Sequence, residues 1–171
     1  MLSSKDQSDV RTDTYSERYL AEWLAAALAA QAPQRSPVSV VRFDVDDLEH
    51  VNRSFGQHVA DAVLRIVSAA VQRLIHPKDI LARHDKVSFV VLARGISTRN
   101  AAILAERIRC TVNDLPLIAQ GKQFRVTVSV GVAWASAAEP QQISALVCSA
   151  EGAVRDAKSL GRNRISIAIL E

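Results

Sequence analysis

Residues 38–45, VSVVRFDV, form an almost uninterrupted apolar run with an acid, Asp44, near its end. A strand that alternates apolar and polar residues can leave one face in water, whereas a continuously apolar strand is typical of burial on both faces. The run therefore predicts a β-strand covered on both sides. A chain of 171 residues, of which 49% are hydrophobic and 23% charged, can supply that cover within one domain.

Hydrophobic periodicity predicts the elements around this strand. Apolar residues recur at helical spacing in segments that begin at Thr14 or Ser16, at His58, at Ser97 or Thr98, and at Pro140. Further strands are predicted in a hairpin at Leu81–Ala93, at 164–170, and at 124–134, where strict alternation from Phe124 to Trp134 indicates one continuous strand. The resulting order, α-β-α-β-β-α-β-α-β, predicts a single α/β domain with helices flanking a mixed sheet of about five strands.

The tip of the predicted hairpin, His84–Val87, contains no glycine. Two-residue hairpin turns favour Asn-Gly, Asp-Gly or Gly-Gly because their backbone reaches positive φ. Asp tolerates that conformation, whereas Lys adopts it less readily. The presence of Asp85 and Lys86 at the tip therefore requires a physical explanation.

Charge and cysteine content narrow the class of protein. The formal net charge is +3 and the basic residues are scattered, so no nucleic-acid-binding surface is predicted. The chain has only two cysteines, and no Cys/His cluster indicates zinc.

The N-terminal residues set the predicted domain boundary. Residues 1–10 are polar and are predicted to form a flexible tail, followed by the domain at 11–171. No segment has the pattern of a membrane span or a signal peptide, so we expect a cytoplasmic protein without membrane insertion. If Met1 is the native start, no sensory module precedes the domain, and control would come from association with another protein or with itself.

Several motifs occur in the order and spacing of one known family. "FDVDDLEHVNRSFGQHVADAVL" follows the pattern D-x-D-x-F-K-x-x-N-D-x-x-G-H-x-x-G-D-x-x-L, and "LARHDKVSF" stands where that family has A-R-Y-G-G-D-E-F. "AERIR", "TVSVGVA" and "AKSLGRNR" match as well, over a span from about Asp9 to Ile169. On these motifs the chain resembles the GGDEF family, the diguanylate cyclases.

The resemblance implies the fold and the chemistry of that family. Diguanylate cyclases condense two GTP molecules into cyclic di-GMP between two protomers that face each other. Metal ions bind the triphosphate, and the 3′-hydroxyl of one GTP attacks the α-phosphate of the other. Such phosphoryl transfer requires carboxylates for a hard cation, cationic side chains for the phosphates and in-line alignment.

Five side chains match family positions that have a role in binding. By resemblance, Asp44 is a metal ligand, Asn52 and Asp61 hydrogen-bond guanine, and Lys158 and Arg162 bind phosphates. Each also has a structural interpretation. The aspartates and the asparagine suit caps and turns, and the two basic residues suit a helix C-terminus or solvent. The sequence leaves both interpretations open.

The catalytic signature itself is degenerate. Asp85 and Lys86 replace two glycines that, in the family, let the backbone approach the nucleotide. Val87 replaces an acidic metal ligand, and an isopropyl group cannot coordinate Mg²⁺. Ser88 replaces a glutamate, and Glu49 replaces a lysine near the phosphates, where its charge would repel a triphosphate. By resemblance, no intact set of catalytic residues remains.

The product-inhibition site of the family is also incomplete. Its R-x-x-D motif corresponds to residues 76–79, where His76 replaces the arginine and Asp79 is kept. The exchange removes a guanidinium fork that could pair with phosphate or stack on guanine. Arg107 matches a second arginine of that site. This remnant gives little support for binding of cyclic di-GMP, which we do not expect.

The favoured hypothesis is a catalytically inactive GGDEF-type domain that serves as a regulatory or protein-interaction module in bacterial cyclic di-GMP signalling. A protein partner or self-association is then expected, with Asp85 and Lys86 free to contact it, and no cofactor is expected. The alternative is a sensor that binds GTP without consuming it, and Mg²⁺ would accompany GTP only if nucleotide binding survives. A weakly active diguanylate cyclase is the third and least favoured hypothesis.

Overall fold

We describe the fold from a computed structural model, for residues 8–9, 12, 14–15, 37–135 and 140–169. The helix predicted to begin at Thr14 or Ser16 and to reach Gln31 lies almost entirely outside these residues. Thr14 belongs to a two-residue strand and is therefore not a helix cap. This strand pairs with Ser8–Asp9, which differ in this respect from the flexible tail predicted for residues 1–10.

The described residues form nine strands and four helices, numbered here in chain order. The strands are β1 (Ser8–Asp9), β2 (Thr14–Tyr15), β3 (Val38–Val45), β4 (Ile80–Arg83), β5 (Ser88–Arg94), β6 (Leu117–Ala119), β7 (Lys122–Phe124), β8 (Val128–Ala135) and β9 (Ile165–Ile169). The helices are α1 (Leu48–Phe55), α2 (Gln57–Gln72), α3 (Thr98–Asn113) and α4 (Pro140–Ser159). No helix in this part of the chain is both long enough and apolar enough to cross a membrane.

The main sheet has the strand order β1-β2-β4-β5-β3-β8-β9. Strand β3 lies inside the sheet, antiparallel to both β5 and β8, while β8 and β9 are parallel. The predicted mixed sheet of about five strands is thereby confirmed, and β1 and β2 extend one edge by two short strands. All eight residues of β3 are buried, as the apolar run predicts.

Helices cover both faces of this sheet. On one face, Val41 and Phe43 of β3 belong to an apolar core with residues of α1, α2 and α3. On the other face, Val38 and Val40 pack with apolar residues of α4. A Cβ atom at Gly131 of β8 would lie 2.1 Å from a backbone oxygen of α4, so this glycine allows α4 to pack directly on the sheet.

The segment predicted as one strand from Phe124 to Trp134 is divided in the structure. Phe124 ends β7, which pairs with β6 in a separate two-stranded sheet, and β8 begins only at Val128. The Phe124 ring stacks on Phe55 of α1 with the ring centroids 4.9 Å apart. Val126, between the two strands, is buried as well. The alternating pattern therefore persists across the break, which is why it did not reveal where the strand ends.

Candidate functional site

The C-terminal end of β3 meets the tip of the β4–β5 hairpin and the last turns of α4. Asp44 on β3 stands opposite Ser88 at the start of β5, and Lys158 of α4 hydrogen-bonds to Asp44. The structure thus brings together the predicted metal ligand, the signature predicted to be degenerate and one predicted phosphate-binding residue. We call this group the strand-end site; it comprises Arg42, Asp44, residues 84–88, Glu151 and Lys158.

Asp44 forms a close ion pair within the strand-end site. Its Oδ2 lies 2.5 Å from Lys158 Nζ, and its side chain is only 10% exposed. The residue matched to metal binding and a residue matched to phosphate binding therefore neutralise each other. Asp44 does not cap the following helix, because Asp47 occupies the N-cap of α1.

Arg42 is a member of this site that the sequence interpretation missed. The residue is 5% exposed, and its guanidinium lies 3.5 Å from Glu151 Oε2 and 3.6 Å from Asp85 Oδ2. It also donates a hydrogen bond of 3.4 Å to Ser88 Oγ. The signal available in the sequence was a basic residue inside the apolar run 38–45, since a buried arginine requires charged or polar partners.

The hairpin tip is held together by its own side chains. Asp85 Oδ1 accepts hydrogen bonds from the backbone N–H groups of Val87 and Ser88, at 2.9 and 3.1 Å. Arg83 donates to the backbone carbonyls of Asp85 and Lys86, at 3.0 and 2.8 Å. No residue from His84 to Val87 has a positive φ. The tip needs no glycine, because side chains satisfy its backbone groups in a conformation that any residue can adopt.

Asp85 and Val87 differ in what they contact at the tip. Partial burial raises the pKa of the Asp85 carboxyl, but hydrogen bonds from Val87 and Ser88 and the attraction of Arg42 outweigh it and lower the pKa. Asp85 is exposed although it is hydrogen-bonded to the tip, and Lys86 is exposed as well, so the expectation that both can meet a partner stays a prediction. Val87 is partly buried and packs against the apolar core, so its side chain adds to packing.

Arg162 lies outside the strand-end site. Its backbone N–H donates to the Ala157 carbonyl and that of Gly161 donates to the Lys158 carbonyl, which together cap the C-terminus of α4. The side chain lies 3.5 Å from Asp47, but both groups are at least half exposed, so this ion pair contributes little to stability.

The residues matched to guanine binding lie at the junction of α1 and α2. Asn52 is in α1, and its backbone carbonyl accepts a hydrogen bond from the N–H of Gly56, which has a φ of 93°. Asp61, in the second turn of α2, accepts from Gln57 Nε2 at 3.0 Å. Neither side chain bonds to Asp44 or Lys158. Glu49 is exposed in the first turn of α1, where its charge suits the helix dipole.

The remnant of the inhibitory motif forms a self-contained turn. Asp79 Oδ2 accepts a hydrogen bond from the backbone N–H of His76, and His76 Nδ1 accepts one from the N–H of Lys78. Arg107 is exposed on α3. The structure gives His76 and Asp79 a local structural role, and neither forms a hydrogen bond or ion pair with Arg107.

The strand-end site does not fit a divalent metal ion. Mg²⁺ requires oxygen ligands in a nearly octahedral arrangement. Asp44 is instead paired with Lys158, Val87 supplies no side-chain oxygen, and the Arg42 guanidinium adds positive charge beside the same carboxylate. Within the described ranges, no three His, Cys, Asp or Glu side chains are grouped so that they could hold a metal.

Comparison with known proteins decides the family. The model of the family described as "Diguanylate cyclase, GGDEF domain" matches residues 6–164. The chain belongs to the GGDEF family. This GGDEF domain is 31% identical over 163 residues to the probable diguanylate cyclase DgcT of Escherichia coli, a match that covers 93% of the domain and 35% of DgcT. It is also 31% identical over 160 residues to the response regulator PleD of Caulobacter vibrioides, covering 92% of the domain and 35% of PleD.

Solved structures agree with this assignment. The GGDEF domain of DgcB from Caulobacter crescentus, solved in complex with c-di-GMP, superposes with a TM-score of 0.88 at 21% identity and 98% coverage of both chains. Diguanylate cyclase SiaD from Pseudomonas aeruginosa, in complex with its activator SiaC, gives 0.84 at 27% identity, covering 97% of this domain and 63% of SiaD. The similarity to DgcB shows the fold alone. The domain spans about a third of the length of DgcT and PleD.

Proposed function

We propose that this GGDEF domain does not convert GTP to cyclic di-GMP and acts as a regulatory, protein-binding module in bacterial cyclic di-GMP signalling. The observation that carries the proposal is the hairpin tip closed by Asp85. The Asp85 carboxylate occupies the backbone N–H groups of Val87 and Ser88, at the place where the family resemblance puts two glycines and a close approach of the nucleotide.

Electrostatics at the strand-end site support the same proposal. A triphosphate would have to displace the Asp85 carboxylate from two backbone donors and Lys158 from Asp44. No acidic side chain at Val87 would compensate by holding a metal ion. The lost interactions are charge-assisted and thus roughly twice as strong as neutral hydrogen bonds. The domain therefore favours its closed site over a bound nucleotide.

A protein partner is supported by one structural relative. SiaD was solved in complex with its activator SiaC, and its GGDEF-type fold superposes on this domain. We propose that the exposed tip residue Lys86 takes part in such a contact. A partner captured from the source cell by the wild-type domain should be lost with Lys86→Glu. It should be retained with the control Lys78→Glu, which alters another exposed lysine.

The decisive test of inactivity is product formation. The purified domain is incubated with GTP and Mg²⁺, cyclic di-GMP is measured by chromatography, and SiaD serves as the positive control. We expect no product above the background without protein. A rate comparable to that of SiaD would overturn the proposal.

GTP binding without turnover is the second candidate, favoured by the retained Asn52 and Asp61. Calorimetry with GTP, with and without Mg²⁺, separates it from the first. We expect no heat of binding at high micromolar GTP, and saturable binding without product would favour the sensor. The same titration with cyclic di-GMP tests the remnant of the inhibitory site, where we also expect no binding.

A further inference from the structure

Arg42 is an unusual residue for the middle of a buried strand. Its side chain is 6% exposed, and apolar residues of β3 precede it on the same face of the sheet. Removing a guanidinium from water costs several kcal/mol unless charged partners compensate. The partners of Arg42 therefore indicate why the chain tolerates the charge.

Three carboxylates from three parts of the fold converge on this guanidinium. Glu151 Oε2 of α4 lies 3.5 Å from Nη1, Asp85 Oδ2 of the hairpin tip lies 3.6 Å from Nη2, and Asp44 Oδ1 of β3 lies 3.9 Å from Nε. Without Arg42, Lys158 would be the one cation paired with this group of acids among the described residues. The guanidinium thus forms ion pairs with β3, with α4 and with the hairpin tip.

We infer that Arg42 is a built-in cation that takes over, at the strand-end site, the charge-neutralising role of a divalent metal ion. A metal ion would neutralise carboxylates of β3 and of the hairpin tip from a position between them. Arg42 neutralises these carboxylates as a side chain of β3, two residues before Asp44. The inference concerns folding electrostatics and stands whether or not the domain binds a protein partner.

Arg42 supplies positive charge to the wild-type protein without any bound ion. Because the positive charge is covalent, the stability of the domain is independent of divalent cations. Removing the charge of Arg42 leaves Asp44, Asp85 and Glu151 with Lys158 as their remaining partner. The three carboxylates are not grouped as a metal site around Arg42, but once the guanidinium is gone the half-exposed side chains of Asp85 and Glu151 can move toward Asp44. An added divalent cation can then stabilise the folded state by binding between them.

The test compares thermal unfolding in millimolar MgCl₂ and in EDTA, with NaCl added to equalise ionic strength. For wild type we expect the same Tm in both conditions. Arg42→Gln lowers the Tm in EDTA, and Mg²⁺ then raises the Tm of this variant by about 3 °C or more, the shift expected in a domain of this size when Mg²⁺ is present at about ten times its Kd. Arg42→Lys, which keeps the charge, should show no response to Mg²⁺.

Arg83→Met is the matched control. Arg83 is also buried, at 6% exposure, but it donates to backbone carbonyls of the tip. Its removal should lower the Tm without creating a response to Mg²⁺. A response of Arg42→Gln no larger than that of Arg83→Met would overturn the inference, as would a response of the wild type.

Direct measurement of metal binding keeps the inference testable if Arg42→Gln does not fold. Wild-type protein is titrated with Mn²⁺ and the free ion is followed by electron paramagnetic resonance. No bound Mn²⁺ at millimolar concentration supports the built-in cation. Saturable binding abolished by Asp44→Asn would overturn it, since the site would then accept a metal ion despite Arg42.

Discussion

The β6–β7 and β4–β5 hairpins of this domain turn the chain in different ways. The β6–β7 hairpin turns at Gln120 and Gly121, which adopt φ values of 50° and 74°. Such paired positive φ values are typical of the turns that match the twist of two-residue hairpins. The β4–β5 hairpin turns over residues 84–87 with no positive φ, and Asp85 and Arg83 hold its backbone groups.

This difference explains how the β4–β5 hairpin forms without the glycines of the family pattern. A turn made by backbone conformation needs glycine and leaves its remaining N–H groups open to a ligand. A turn made by side chains accepts other residues, but the side chains occupy those N–H groups. The tip at Asp85 is therefore closed by its own side chain, which supports the proposed inactivity together with the absence of acids at Val87 and Ser88.

The largest effect on stability is expected when Arg83, the buried arginine that binds the β4–β5 tip, is replaced. Arg83→Met should lower the free energy of unfolding by about 3 kcal/mol, because two backbone carbonyls of the tip lose a charged donor whose own side chain is buried. Chemical denaturation measures the change. Arg107→Met, at an exposed helical position, is the control and should stay within about 0.5 kcal/mol. Equal effects of the two variants would contradict the proposed role of Arg83.

The second effect concerns the carboxylate that closes the tip. Asp85→Ala should lower the free energy of unfolding by about 1–2 kcal/mol, because two backbone N–H groups lose their acceptor. Asp85→Asn should cost less, since its amide oxygen can still accept those bonds. If Asp85→Ala proved as stable as wild type in chemical denaturation, the tip would not depend on this side chain.

The charge of Asp85 also predicts a pH dependence. The pKa is lowered in the folded state, so the ionised group stabilises the fold above the ordinary aspartate pKa, and this contribution is lost as pH falls through the folded value. The difference in stability between wild type and Asp85→Asn should be constant near neutral pH and shrink below about pH 4. A difference that stays unchanged in denaturation curves down to acidic pH would contradict this.

The smallest effects are expected from removing a glycine in the β6–β7 turn and adding one in the β4–β5 turn. Gly121→Ala should destabilise by about 1 kcal/mol, because a Cβ atom disfavours the left-handed conformation. Lys86→Gly should change the free energy of unfolding by less than about 0.5–1 kcal/mol, because the tip does not use positive φ. The change should come mainly from the greater conformational entropy that glycine gives the unfolded chain. A larger loss for Lys86→Gly than for Gly121→Ala in thermal denaturation would reverse the comparison.

Much of the fold could be predicted from hydrophobic pattern. The run at 38–45 identified the buried strand, and helical periodicity from Ser97 and Pro140 identified α3 and α4. The β6–β7 hairpin was missed because three-residue strands are too short for a periodic signal, and Gln-Gly is a weaker turn signal than Asn-Gly. The break before Val128 was missed because the alternation continues through Val126.

The candidate site could be predicted only in part. The sequence indicated Asp44 and residues 85–88 as members of the site, and the structure brings them together with Lys158. It could not show that Asp85 folds back onto its own backbone, since that depends on the rotamer and on Arg42 across the sheet. Nor could it show that acidic side chains converge on Arg42, since one of them, Glu151, lies 109 positions later in the chain.

Amide hydrogen exchange at Val87 and Ser88 tests the central claim most directly. We predict that both N–H groups are protected in the free domain, lose protection in Asp85→Ala, and keep their exchange rates when GTP and Mg²⁺ are added. Rapid exchange in the free wild-type domain, or new protection at these amides on adding GTP and Mg²⁺, would show that the tip is open to nucleotide and would contradict the account.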